Sequence, residues 1–196
     1  MSIWRFVTDF GDTAVTVPLA ALMLFFLAVA RQPRLALAWA FAILGCAGMI
    51  GGLKLVLDAC SNPAVAGAGL ASPSGHTAMS VAVYGGFAAV IAGQLARPAR
   101  AALMIGATAL IIAIPMSRIA LHLHAGIEVA VGLVVGLVAV AIIIIAVAMW
   151  RDRLPILRLA GAASVLAMVL HGERWPAEQA VRHLAGWLEI LRPWCG

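Results

Sequence analysis

Five stretches of this chain run at least 17 residues without a charged side chain: Ala14–Ala30, Leu35–Leu53, Thr77–Ala96, Ala101–Ser117 and Val129–Trp150. A helix needs about 20 apolar residues, with a range near 17 to 25, to cross the hydrocarbon core of a bilayer. A sixth stretch, Leu154–Leu170, contains Arg158 one turn from its start, where a long side chain can snorkel to the interface. Six crossings are therefore expected. Composition agrees: 64% of the chain is hydrophobic and 11% charged, about half the charged fraction of a soluble domain. A soluble fold has too little polar surface to cover that much apolar side chain. These numbers exclude a soluble enzyme, a disordered chain and a nucleic-acid binder. The expected fold class is all-α: one integral membrane bundle of six transmembrane helices, a single domain over residues 1–196.

The segments flanking the spans, residues 1–13 and 173–196, are short and amphipathic. Trp4, Phe6, Val7 and Phe10 punctuate the first, and Trp175, Leu184, Trp187, Leu188 and Leu191 recur at helical spacing in the second. Both read as helices lying in the interface, with aromatic rings at headgroup depth. Arg5, Asp9 and Asp12 precede the first apolar run without a clear small-residue cleavage site, so no cleavable signal peptide is expected. Cys46, Cys60 and Cys195 are too scattered for a disulfide framework or a Cys-x-x-Cys pair.

Orientation follows from the loops. Loops one, three and five carry Arg31, Arg34, Arg97, Arg100, Arg151, Arg153 and Arg158 against Asp152 alone. The opposite side holds both termini, six basic residues and all seven remaining acids. Loop arginines mark the cytoplasmic face, so loops two and four and both termini are expected outside, in the periplasm of a bacterial inner membrane.

A membrane protein keeps polar residues where they work or pair. Here they gather in two loops. One runs from Lys54 and Asp58 through Ser61, Asn62 and Pro63 to Pro73-Ser74-Gly75-His76; the other holds Ser117-Arg118, His122, His124 and Glu128. Two spans separate these loops, which places both on the outer face. Any one element has an ordinary reading: Lys54 can snorkel or pair with Asp58, and Pro-Ser-Gly-His is a common turn and helix cap. Their conjunction suggests phosphate chemistry. Lys and Arg neutralise a phosphate, Arg as a two-pronged donor. Pro-Ser-Gly-His before a helix offers a hydroxyl and free N–H groups at a positive helix end. One His can attack phosphorus if a carboxylate holds its other nitrogen, and a second can protonate the leaving oxygen. In a helix His124 and Glu128 share a face at i, i+4. One carboxylate and two or three His without Cys make no metal-ligand pattern, and neither metal nor other cofactor is expected.

Those residues resemble the three-part signature of the type 2 phosphatidic acid phosphatase superfamily: Lys, six residues, Arg-Pro; Pro-Ser-Gly-His; Ser-Arg, five residues, His, three residues, Asp. Pro73-Ser74-Gly75-His76 is the complete second element, and Ser117-Arg118, His124 and Glu128 match the third with Glu for Asp. The resemblance covers Lys54 to Glu128. It implies a metal-independent phosphatase with His124 as nucleophile, Glu128 orienting that ring, and His76 protonating the leaving group. Lys54, Ser74, Gly75 and Arg118 would bind the phosphate.

The first element departs from the pattern. Six residues separate Lys54 from Ser61, which stands where the pattern has Arg, and with one inserted residue Asn62-Pro63 replaces Arg-Pro. Asn62 would then be a neutral phosphate donor, at a cost of about 1.5–3 kcal/mol for the lost charged hydrogen bond. Glu for Asp adds one methylene, which a small helix shift would absorb. The motifs also flank spans two and three here, rather than the three and four of six-span relatives.

The expected activity is hydrolysis of a phosphomonoester or diphosphate on a membrane lipid at the outer face. Undecaprenyl diphosphate is favoured over phosphatidylglycerophosphate, phosphatidic acid or a lipid A phosphate, because recycling that carrier requires an outward-facing phosphatase. A lipid phosphotransferase using the same site, or an inactive lipid-binding protein, are the alternative readings.

Overall fold

The computed structural model describes residues 2–60, 70–150 and 153–176, with Gln179 and His183 beyond them; among residues 58–60 it describes the backbone alone. Seven helices form over these residues: α1 (Ile3–Asp9), α2 (Thr13–Val29), α3 (Pro33–Cys60), α4 (Gly75–Ala92), α5 (Arg97–Ala120), α6 (Gly126–Trp150) and α7 (Ile156–Leu170). Their starts are written in the sequence. Asp12 caps α2 by accepting the Ala14 N–H, Ser74 caps α4 by accepting the Thr77 N–H, and Pro33 and Pro98 occupy first-turn positions that need no N–H.

Five segments are long and apolar enough to cross a membrane: Ile3–Val29, Pro33–Leu57, Gly75–Ala92, Arg97–Ala120 and Gly126–Trp150. Their large outward side chains, among them Leu37, Phe41, Leu44, Ile105 and Val134, are exposed around the bundle, as lipid-facing residues are. The protein is a multi-pass helical membrane protein. The sixth expected crossing is a helix, α7, but its 15 residues rise only about 22 Å against a hydrocarbon core of about 30 Å. It nevertheless joins the two ends of the bundle. Leu154 N–H donates to Gln94 Oε1 at one end (2.8 Å), and His171 Nε2 lies 2.9 Å from the Phe6 carbonyl at the other.

The central helix is α4, with 78% of its apolar window buried against 22% for α5. It packs against α6, α5, α3 and α2. Close approach to α6 depends on Gly132 and Gly136: a Cβ on Gly132 would lie 2.5 Å from the Ser74 carbonyl, and one on Gly136 would lie 2.7 Å from that of Ala78. Small residues four apart let membrane helices touch backbone to backbone. Trp39 fills the core between α2 and α3, donating its indole N–H to Ala20 O at 3.0 Å and meeting Phe87 edge to face. The expected N-terminal interfacial segment folds as α1, with Ile3, Trp4 and Phe6 exposed. Its last turn buries Thr8 and Asp9, and the helix docks on α5. Beyond residue 176 the expected C-terminal helix lies outside the described residues, apart from Gln179 and His183.

Candidate active site

The ends of α3 and α5, the starts of α4 and α6, and the α1–α2 turn meet at one end of the bundle. Lys54 and Arg118 are only 8% and 7% exposed, so each cation must be met by polar partners or ligand. Arg118 Nη1 donates to Thr8 Oγ1 at 3.2 Å. Ser117 Oγ donates to Ile114 O within its own helix at 2.6 Å, and so supports α5 rather than reaching outward.

The end of α5 is a Schellman motif. His122 N–H donates to Ile119 O (2.9 Å), and Leu123 N–H to Arg118 O (3.0 Å). The left-handed position between them is His122, with φ 54°. That turn reverses the chain into α6, leaving His122 exposed and His124 turned inward. His124 Nδ1 lies 2.8 Å from Glu128 Oε2, with both side chains under a tenth exposed. The resemblance's choice of His124 over His122 thus coincides with the ring that meets a carboxylate.

Glu128 does more than hold the ring. Oε2 also accepts the Ala125 N–H at 3.1 Å, while Oε1 accepts the N–H groups of Ala71 (2.9 Å) and Ser72 (2.5 Å). Its carbonyl accepts the Ser74 N–H at 3.1 Å. One residue therefore bolts the His124 turn to the loop that carries Pro-Ser-Gly-His. The extra methylene relative to the family's Asp, expected to be absorbed by a helix shift, instead belongs to a side chain that spans both loops.

Burial holds the His124 ring below the usual histidine pKa. The Arg118 and Lys54 charges push the same way, and the hydrogen bond and charge of Glu128 oppose them. The net shift favours the neutral imidazole. With Nδ1–H donated to Glu128, Nε2 carries the lone pair.

In the second motif, Ser74 is fully buried and its Oγ accepts from Thr77 N (3.4 Å) and Thr77 Oγ1 (3.0 Å). Gly75 opens the helix, and a Cβ there would touch only Ile50 Cγ2, at 3.7 Å. His76 Nε2 lies 3.4 Å from Asp12 Oδ2. The other oxygen of Asp12 accepts the N–H groups of Ala14 (2.9 Å) and Trp175 (3.3 Å). Asp9 pairs with Arg174 at 3.2 Å.

Thr8, Asp9 and Asp12 were not foreseen as site residues; the sequence reading left them in an interfacial helix. Two acids within five positions of an apolar span were the available signal, since such residues seldom stand idle at a membrane boundary. Asn62 lies outside the described residues. Among the described residues no three His, Cys, Asp or Glu side chains converge as metal ligands.

Comparison with known families shows where the chain belongs. The family model described as "PAP2 superfamily" matches residues 54–152, from the buried lysine through the whole of α6. The chain belongs to the PAP2 superfamily. It is also 28% identical over 149 residues to an "Uncharacterized 22.5 kDa protein in cps region" of Klebsiella pneumoniae, covering 72% of this chain and 68% of that protein. No solved structure matches significantly. Superfamily membership implies phosphatase chemistry on lipid-type phosphates. Thr8, Asp9 and Asp12 lie outside the matched region.

Proposed function

We propose that this protein hydrolyses a phosphomonoester or diphosphate on a membrane lipid at the outer face of a bacterial inner membrane, through a phosphohistidine on His124. The observation that carries the reading is the buried His124–Glu128 pair at 2.8 Å, anchored to the Pro-Ser-Gly-His loop by the same carboxylate. Glu128 fixes the Nδ1–H tautomer, so the Nε2 lone pair attacks phosphorus and forms the P–N bond. The bond from phosphorus to the leaving oxygen breaks as His76 delivers a proton to that oxygen. Water then attacks phosphorus, the P–N bond breaks back onto Nε2, and deprotonated His76 takes the water's proton. Lys54, Arg118, the first-turn N–H groups at Gly75 and the Ser74 hydroxyl would balance the phosphoryl oxygens, with Asn62 as a neutral donor. Asp12 balances the charge of the protonated His76 ring, giving the acid a carboxylate partner as Glu128 gives one to the nucleophile.

Undecaprenyl diphosphate is the favoured substrate, because its regeneration needs a phosphatase on the outer face. The test is phosphate release by the detergent-purified protein from a panel of that lipid, phosphatidylglycerophosphate, phosphatidic acid and lipid A phosphate, with a chelator present. Release that disappears in His124→Ala is expected, and free phosphate as product separates hydrolysis from transfer to another lipid. Folded protein that releases none from any of them would overturn the proposal.

A further inference from the structure

At the opposite end of the bundle, the α2–α3 turn carries polar groups that the phosphatase site does not use. Along α3, Pro33 is about 32 Å from Lys54 at 1.5 Å per residue. α2 ends in a second Schellman motif, Arg31 N–H donating to Ala28 O and Gln32 N–H to Leu27 O, both at 3.0 Å. The left-handed position falls on Arg31, φ 57°, where glycine is the unstrained choice. Gln32 is 4% exposed, and neither atom of its side-chain amide has a hydrogen-bond partner among the described residues. α3 then starts at Pro33, and its first bond is Ala36 N–H to Gln32 O at 2.9 Å. The N–H groups of Arg34 and Leu35 precede that bond and lack helical acceptors.

These groups line one recess. Arg31, Gln32, Arg34 and Leu35 face Met149 and Trp150 across a cavity of about 310 Å³. At Arg34, Met149 and Trp150 it adjoins a groove of about 480 Å³ between α3 and α6, walled by Leu37, Phe41, Ile142 and Ile145. Two guanidinium groups, a buried amide lacking a partner and a helix N-terminus suit a phosphate. The groove suits a hydrocarbon chain, and its walls stand where the bundle meets lipid. A soluble phosphate would leave the groove unused, and a neutral lipid would leave the cations unused.

We infer that this recess binds one anionic glycerophospholipid as a resident, non-substrate ligand. Its phosphodiester sits on Arg31, Gln32 and Arg34, and one acyl chain lies between α3 and α6. Basic pockets between membrane helices hold anionic headgroups in this way. The lipid bridges the two helices whose far ends carry Lys54 and Glu128.

The test is native mass spectrometry of the full-length protein in detergent, titrated with phosphatidylglycerol, phosphatidylcholine or glycerol 3-phosphate. Wild type is expected to retain phosphatidylglycerol in preference to the other two. An Arg31→Gln/Arg34→Gln double variant should bind it at least tenfold more weakly. Ala38→Trp, which fills the groove and keeps both arginines, should lose it as well. Lys54→Met should bind as wild type does. Undiminished binding by the double variant or by Ala38→Trp, or binding lost in Lys54→Met instead, would overturn the inference.

Discussion

Glu128 is the residue on which the site turns, because its carboxylate holds His124 and also accepts three backbone N–H groups from two loops. An aspartate, one methylene shorter, cannot span that distance without moving α6. Glu128→Asp is therefore expected to lower kcat/KM by about 10–100-fold, the equivalent of one charge-assisted hydrogen bond of about 1.5–3 kcal/mol. Steady-state kinetics on a lipid phosphate check this, and undiminished activity would show that the loop contacts are dispensable. The His124 ring sets the acid limb of the pH profile. Its pKa is lowered by burial and by the neighbouring cations, and only the neutral ring attacks. Activity should persist as pH falls through about 6.5, the ordinary histidine value, and disappear below it as the ring protonates. A kcat/KM profile whose acid limb lies above that value would contradict the assignment. Asp12→Asn keeps the α2 cap but removes the charge beside His76. It should reduce kcat by about 100-fold, at the low end of general-acid contributions, with little change in KM. A KM effect alone would make Asp12 a purely structural cap.

At the scale of elements, helix ends place every described reactive group, and the turns that join them decide which groups meet. The Schellman turn closing α5 commits the backbone of His122 and presents His124, a choice that the two-residue spacing of the histidines leaves open. Contact between α4 and α6 is equally local. A methyl group on Gly132 would sit 2.5 Å from the Ser74 carbonyl, so Gly132→Ala must push Glu128 away from the Pro-Ser-Gly-His loop. Overpacking of this kind costs about 1–3 kcal/mol, and activity should fall with it. Gly106→Ala, where nothing lies within 4 Å, is the control expected to leave activity unchanged in the same assay. The spans and the motif residues could be read from the sequence because hydrocarbon demands about 20 apolar residues and leaves polar ones only at the ends. Gly132 could not be read so: its role depends on which helix face meets α4, and α6 is apolar on every face. Asp12 was hidden for a related reason, since an acid before a span looks the same whether it faces headgroups or a histidine on another helix.

In the whole molecule the matched region and the segments flanking it meet at one end of the bundle. Residues 54–152 carry the superfamily match, while α1, the α1–α2 turn and the residues after α7 close over the site through Thr8–Arg118, Asp12–His76 and Arg174–Asp9. Six apolar stretches become five helices long enough to cross a membrane and one shorter helix, α7. Pro155 before it and the break at His171-Gly172 after it limit α7 to 15 residues, although it still runs between the two ends of the bundle. The arginines of loops one, three and five argue for a site on the opposite face, where two of the six basic residues, Lys54 and Arg118, are those the chemistry uses. The account as a whole rests on one covalent step. The most direct measurement is peptide mapping of His76→Ala after brief reaction with a lipid phosphate and quenching in base, where phosphohistidine survives. The expected result is a phosphoryl group on His124, accumulated because the hydrolytic step lacks its base and absent from the His76→Ala/His124→Ala pair. Phosphate on Ser74 or His122, or turnover that persists in His124→Ala, would contradict the account.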